Sequence, residues 1–381
     1  MRILFCSQTY LSKELGASKV LLELAEEMEQ LGWECKLICP FDLVPAKTPN
    51  VHDKYHIYLR QYLQEHATEY DVIEFDYQHL PYPRSDFHLH TLFVAKVALL
   101  AHHFINIEMP SDKGLKSRIR SLIDERNRAA RQQQRLRSIQ VAFSEADLIN
   151  VANYDDREAI LKQGFSEEKI LVIPHGISRS RRLLFDAISS APPLKPKIAF
   201  IGTFDNRKGA IDFPEIVESV CAAVPNVEFR LLGTYRSERE VLAGFPKKLR
   251  GKIEVVPHYP ADELPDLLAP CSVGVFPSYI EGFGLGVLEM LAASIPVIAY
   301  NSPGPPMMLS AEYLVPRGDT MAMGAKLIDL LRDQDKLTNA RLRAKERSQE
   351  FCWQNIAKKT EQIYVEQWRR KQIQASFERS I

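Results

Sequence analysis

A short apolar run, Val273-Gly274-Val275-Phe276, stops abruptly at Pro277-Ser278. Glycines follow at 282, 284 and 286, and a helix-periodic segment takes over. Strand, glycine-rich turn and helix in this order are half of a βαβ unit, so the chain must build a parallel sheet with helices against it. Leu285, Leu288 and Ala292 fall on one helical face and Glu289 off it, as in an apolar-periodic helix. The turn aims free backbone N–H groups from the positive end of a helix dipole, an arrangement that favours a phosphate. Glu281 before the loop and Glu289 within the helix repel a phosphate but suit hydroxyl donors. A phosphate cradle flanked by hydroxyl acceptors is what a nucleotide sugar requires.

The same alternation recurs through the chain. Residues 3–7, 35–39, 71–76, 96–101, 146–152 and 169–177 read as strands of a first series. Residues 197–201, 227–232, 253–256, 273–276 and 296–300 read as strands of a second. A length of 381 residues exceeds one comfortable core and suits two α/β domains. Prolines at 192, 193 and 196 mark residues 178–197 as the linker. The expected division is 1–190 and 191–352, with a last amphipathic helix over 353–381. Two Rossmann-like domains facing across a cleft is the expected architecture. Gly16 lies in a polar turn after the first strand, but Gly16-Ala17-Ser18 lacks the dinucleotide fingerprint, so a nicotinamide oxidoreductase is disfavoured.

Several classes are excluded on charge and composition. Lysines plus arginines equal aspartates plus glutamates at 49 each, giving no electrostatic case for nucleic acid. Six scattered cysteines show no zinc spacing and read as small buried hydrophobes of a reduced compartment. The chain opens on a strand and has no apolar run of spanning length, so a cytoplasmic protein is expected. A basic helix over 112–138 is a candidate for peripheral contact with the inner face of a membrane. Its few large aliphatics favour a plain solvated surface. Asp333-Gln334-Asp335 reads as solvated surface rather than a metal site.

The segment Pro277-Ser278-Tyr279-Ile280-Glu281-Gly282-Phe283-Gly284, continuing to Leu288-Glu289, resembles the signature of retaining GT-B glycosyltransferases of the family 4 type. Gly286 stands where that signature commonly has proline. A second match is Lys208-Gly209, but Thr203 stands where an arginine is usual. The resemblance implies the GT-B fold, with the C-terminal helix crossing back to the N-terminal domain. It implies retaining transfer of a sugar from a nucleoside diphosphate to a glycan, lipid-linked or small-molecule acceptor, with neither metal nor cofactor. Lys208 and Arg207, with the backbone of Gly284, Leu285 and Gly286, would face the diphosphate. Glu281 would orient the sugar hydroxyls and Glu289 accept the ribose hydroxyls. Ser278, Gly282, Phe283, Thr203 and Gly16 would complete the donor site. One of His102 and His103 would reach the sugar. The loop 77–84, rich in aromatic and His residues, is a candidate acceptor wall. Thr203, and Met307 where the family often has glutamate, leave room for a nucleotide-sugar binder without turnover. An epimerase on the same fold is the other alternative.

Overall fold

A computed structural model describes residues 1–14, 16–108 and 115–378; side chains are described outside 15, 109–129 and 377–381. The chain divides into two compact units. One comprises Met1–His102, residues 115–174 and the last helix, Trp353–Glu378; the other comprises residues 103–108 and His175–Cys352.

The first unit carries six strands: β1 (Arg2–Cys6), β2 (Glu34–Ile38), β3 (Val72–Asp76), β4 (Leu92–Lys96), β5 (Leu148–Val151) and β6 (Ile170–Val172). They pair in parallel in the order β2-β1-β3-β4-β5-β6. β3 and β4 are buried along their whole length, as a sheet covered on both faces demands. On one face the helix Val51–His66 buries Tyr55, Leu59 and Leu63 at helical spacing against Ile73, Phe75 and Phe93. On the other lie Gly16–Gln30 and Trp353–Glu378. The Trp353 indole donates to Glu23 at 2.8 Å, and the Trp33 indole to Glu361 at 3.1 Å. The Tyr364 hydroxyl donates to buried Glu74 at 2.5 Å. The last helix therefore belongs to the first unit's core.

The second unit repeats the plan with β7 (Lys197–Ile201), β8 (Glu228–Leu232), β9 (Ile253–Val256), β10 (Val273–Phe276), β11 (Val297–Tyr300) and β12 (Leu314–Val315). Their order is β12-β11-β10-β7-β8-β9, the doubly wound order. Buried Arg341 donates to the carbonyls of Ser189, Ser190, Cys271 and Ser272. That satisfies a desolvated cation with backbone dipoles and holds the entry to the proline-rich stretch.

Several sequence expectations shift. The strand expected at 96–101 lies at Leu92–Lys96. Beyond it the backbone bonds to a buried side chain instead of the ladder: the Tyr77 hydroxyl donates to Leu99 O and accepts from Ala101 N–H. Residues 178–190 are not linker. The helix Arg179–Asp186 occupies them, and Ile177 N–H donates to Phe351 O within the second unit. The division thus falls at 174/175 rather than 190/191. Gly16 opens a helix instead of sitting in a turn. The basic segment is helical from Leu115 to Glu145; residues 112–114 and the side chains up to 129 lie outside the described residues. No helix among the described residues is long and apolar enough to cross a membrane.

Candidate functional site

In the second sheet β7 and β10 lie side by side, and the chain winds outward from them in opposite directions. Their carboxyl ends form the topological switch point, where open α/β sheets bind ligands. The two segments singled out from sequence leave the sheet there: residues 202–209 after β7, and 277–284 after β10.

The first of these is a single 3₁₀ turn, Asn206–Lys208, capped by Asp205. Asp205 accepts from Lys208 N–H at 3.1 Å, and the Thr203 hydroxyl donates to the same carboxylate at 2.7 Å. Thr203 thus shapes the turn that presents Arg207 and Lys208. Tyr279 N–H donates to Arg207 O at 2.8 Å, tying the two loops together. Gly209 lies in the left-handed region, and a Cβ there would sit 2.2 Å from Pro277 O, so only glycine permits this approach.

The two cations converge on one carboxylate. Lys208 Nζ lies 2.5 Å and Arg207 Nη1 3.3 Å from Glu281 Oε1, and Arg207 also donates to Ile280 O at 3.1 Å. Lys208 Nζ stands 5.0 Å from the Phe276 ring centroid. Burial lowers the lysine's pKa from its ordinary value, and Glu281 offsets this in part. The Tyr279 and Tyr300 hydroxyls each donate to Asp212 Oδ2 at 2.8 Å, anchoring the middle of the loop. Burial raises the Asp212 pKa against those two donors.

The helix Leu285–Ala292 is buried on all sides. Every residue from Gly286 to Ala292 is buried, because β7, β10, β11 and further helices enclose it. A Cβ at Gly286 would meet Ile201 O at 3.0 Å, so the helix start packs directly on the end of β7. Glu289, 2% exposed, is ion-paired with Arg181 of the helix Arg179–Asp186. Burial, then the Glu289 charge, hold the Tyr259 hydroxyl far above its usual pKa, so it stays a neutral donor. Tyr235 and His258 form an edge-to-face pair at 4.6 Å beyond β8 and β9.

The structure gathers Thr203, Arg207, Lys208, Ser278, Glu281 and Gly282 to Gly286 at one edge, with Glu289 one turn into the helix. Ser278 is fully buried. Phe283 packs between His175, at 5.0 Å, and Phe351, at 5.7 Å, and supports the loop from within. Gly16 and His102 belong to the first unit, whereas His103 groups with the second and opens a four-residue helix. Asp333 caps the helix Gln334–Gln349. The residue that sequence reasoning missed is Arg181. Nothing in Arg179-Ser180-Arg181-Arg182 marks one arginine for burial; Ser178 as a helix-starting residue was the only available signal.

Two six-stranded parallel sheets with flanking helices, in this order, make the chain a GT-B protein. It is similar over 96% of its length, and 98% of the other chain, to sucrose-phosphate synthase from Thermosynechococcus elongatus (TM-score 0.73, 21% identity). It is also similar to Anabaena Alr3699/HepE in complex with UDP-glucose (TM-score 0.65, 16% identity, 96% and 100% covered). Residues 195–333 match the family model described as glycosyl transferases group 1. O-antigen chain mannosyltransferase B of Escherichia coli is 30% identical over 115 residues, 30% of each chain. The fold is thus GT-B, and the similarity to group 1 glycosyltransferases lies over residues 195–333 of the second unit. It spans 30% to 47% of the lengths of the first three curated relatives it matches.

Proposed function

We propose that the chain is a retaining glycosyltransferase of the family 4 type, using a nucleoside-diphosphate sugar and no metal or cofactor. The observation that carries this reading is the convergence of Lys208 and Arg207 on Glu281 at the switch point of the second sheet. A leaving diphosphate develops negative charge, and cations fixed before the reaction stabilise it without reorganisation. Arg207 supplies the second cation that position 203 lacks. Without donor, Glu281 neutralises both cations. An incoming diphosphate takes them over and leaves Glu281 to accept hydrogen bonds from the sugar hydroxyls. Glu289, held by Arg181, accepts from the ribose, and the Tyr235–His258 pair offers aromatic surface to the base. The UDP-glucose complex of HepE supports a nucleotide sugar as donor. A hydroxyl acceptor, glycan or lipid-linked, is taken by the first unit, with one of His102 and His103 near the sugar. Peripheral membrane contact through the basic helix belongs to the same proposal.

A panel of nucleotide sugars incubated with the protein tests this. The expected result is slow release of free sugar and nucleoside diphosphate in the presence of chelator. Lys208→Ala and Glu281→Ala should lower it by about a hundredfold or more, the usual effect of removing one charge-stabilising group. Nucleoside-diphosphate binding with no turnover, even with acceptor extracts, refutes catalysis and leaves a nucleotide-sugar binder, the reading that Thr203 and Met307 favour. Release of an epimerised nucleotide sugar points to the third reading.

A further inference from the structure

The first sheet has its own switch point. β1 pairs with β2 on one side and β3 on the other, so the chain winds outward in both directions from β1 and β3. Asp76 is the carboxyl-terminal residue of β3 and stands at that point. Its carboxylate accepts from Gln78 N–H at 3.0 Å and contacts His79 Nδ1 at 2.8 Å. An ionised carboxylate only accepts, so His79 carries its proton on Nδ1 and its Nε2 is a bare acceptor in the neutral ring. No protein group among the described residues donates to Nε2.

Three further observations surround this pair. Tyr55 packs its ring on His79 at 5.3 Å, and its fully buried hydroxyl has no hydrogen-bond partner among the described residues. Lys96, directly opposite Asp76 in the ladder, is buried and its amine likewise lacks one. The loop that carries His79 is braced on every side. Tyr77 holds residues 99 and 101, the Gln78 amide oxygen accepts from Arg135 Nε at 2.8 Å, and Arg60 stacks on Tyr82 at 4.7 Å. A braced loop at a switch point, presenting an oriented acceptor nitrogen next to a buried tyrosine ring, is built for a ligand.

We infer that His79, oriented by Asp76, binds a hydroxyl of the acceptor substrate, with His79 Nε2 accepting the O–H hydrogen bond. The ligand class is a neutral polyhydroxyl compound, such as a sugar ring of the acceptor. This rests on the transferase reading for its purpose but not for its detection. His79 is an acceptor-binding residue and Asp76 a positioning residue.

The test uses the full-length protein and methyl α- and β-hexopyranosides as probes. The His79 ring resonances, assigned by their loss in His79→Gln, are followed in ¹H–¹⁵N spectra as each probe is added. The expected result is a saturable shift of His79 Nε2 with at least one probe, abolished in Asp76→Asn. With a donor that is turned over, His79→Gln should lower transfer to that probe about tenfold while sugar release to water stays within about twofold, the effect of one lost hydrogen bond. His79 resonances unmoved by every probe overturn the inference. So does an equal loss of transfer and hydrolysis. Thermal shifts with nucleoside diphosphates, run in parallel, report on the donor site alone, so its failure is read separately.

Discussion

Arg181→Met isolates the buried pair beneath the donor helix. Glu289 is 2% exposed, and Arg181 is 8% exposed. At an effective dielectric of about 20, two charges near 4 Å attract by about 4 kcal/mol, and desolvation of both groups cancels much of this. The net value of the pair is therefore small, but the cost of breaking it is not. Methionine fills much of the arginine volume and leaves Glu289 buried without its ion-pair partner, which costs about 3–5 kcal/mol. For a unit of this size, a loss of roughly 3–5 kcal/mol lowers Tm by about 6–20 °C, at about 2–4 °C per kcal/mol. Differential scanning calorimetry, following the transition of His175–Cys352, is the assay. The double variant Arg181→Met/Glu289→Leu removes both charges and should recover most of the lost Tm while failing to bind donor. That outcome separates the stability of the pair from the use of Glu289. A single variant melting within about 2 °C of the parent, or a double variant no better than the single, refutes the reasoning.

Two further outcomes test the other loops. Burial lowers the Lys208 pKa in the folded state, so the unfolded chain, with lysine near 10.4, binds more protons between the two values. In that alkaline window stability rises with pH while the cation is lost, so donor hydrolysis should fall below the pH expected of a solvated lysine. Lys208→Arg, which stays charged, should remove the fall; an unchanged alkaline limb in that variant contradicts the assignment. Gly209→Ala places a methyl 2.2 Å from Pro277 O at a left-handed residue. It should cost more than about 1 kcal/mol and weaken nucleoside-diphosphate binding by thermal shift, whereas parent-like binding would show that the two loops move independently.

Much of the second unit was legible in the residues. β7 and β10 lie where their apolar runs place them, because a strand covered on both faces must be nearly continuously apolar. Glycines at 209 and 286 marked the close approaches, and Gly284 a left-handed turn. The first unit was read less well. The helix Val51–His66 escaped because its buried face is only three residues, Tyr55, Leu59 and Leu63, within a polar segment. The strand placed at 96–101 slipped because Leu100 and Ala101 are buried without belonging to the ladder. Burial and strand pairing are separate facts, and a single sequence reports the first better than the second.

The sequence by itself determined that there are two parallel βα series, that a phosphate-suited glycine turn follows β10, and that arginine and lysine sit at 207 and 208. These are local properties, set by periodicity and by residue type at short spacing. Only the tertiary structure decided which charges meet. Lys208 and Glu281 are 73 residues apart, and Arg181 and Glu289 are 108 apart. Their pairing follows from strand order, which puts β7 beside β10 although β8 and β9 come between them in the chain. Strand order is chosen by burial of whole sheets and helices against one another, and no local run of residues carries it.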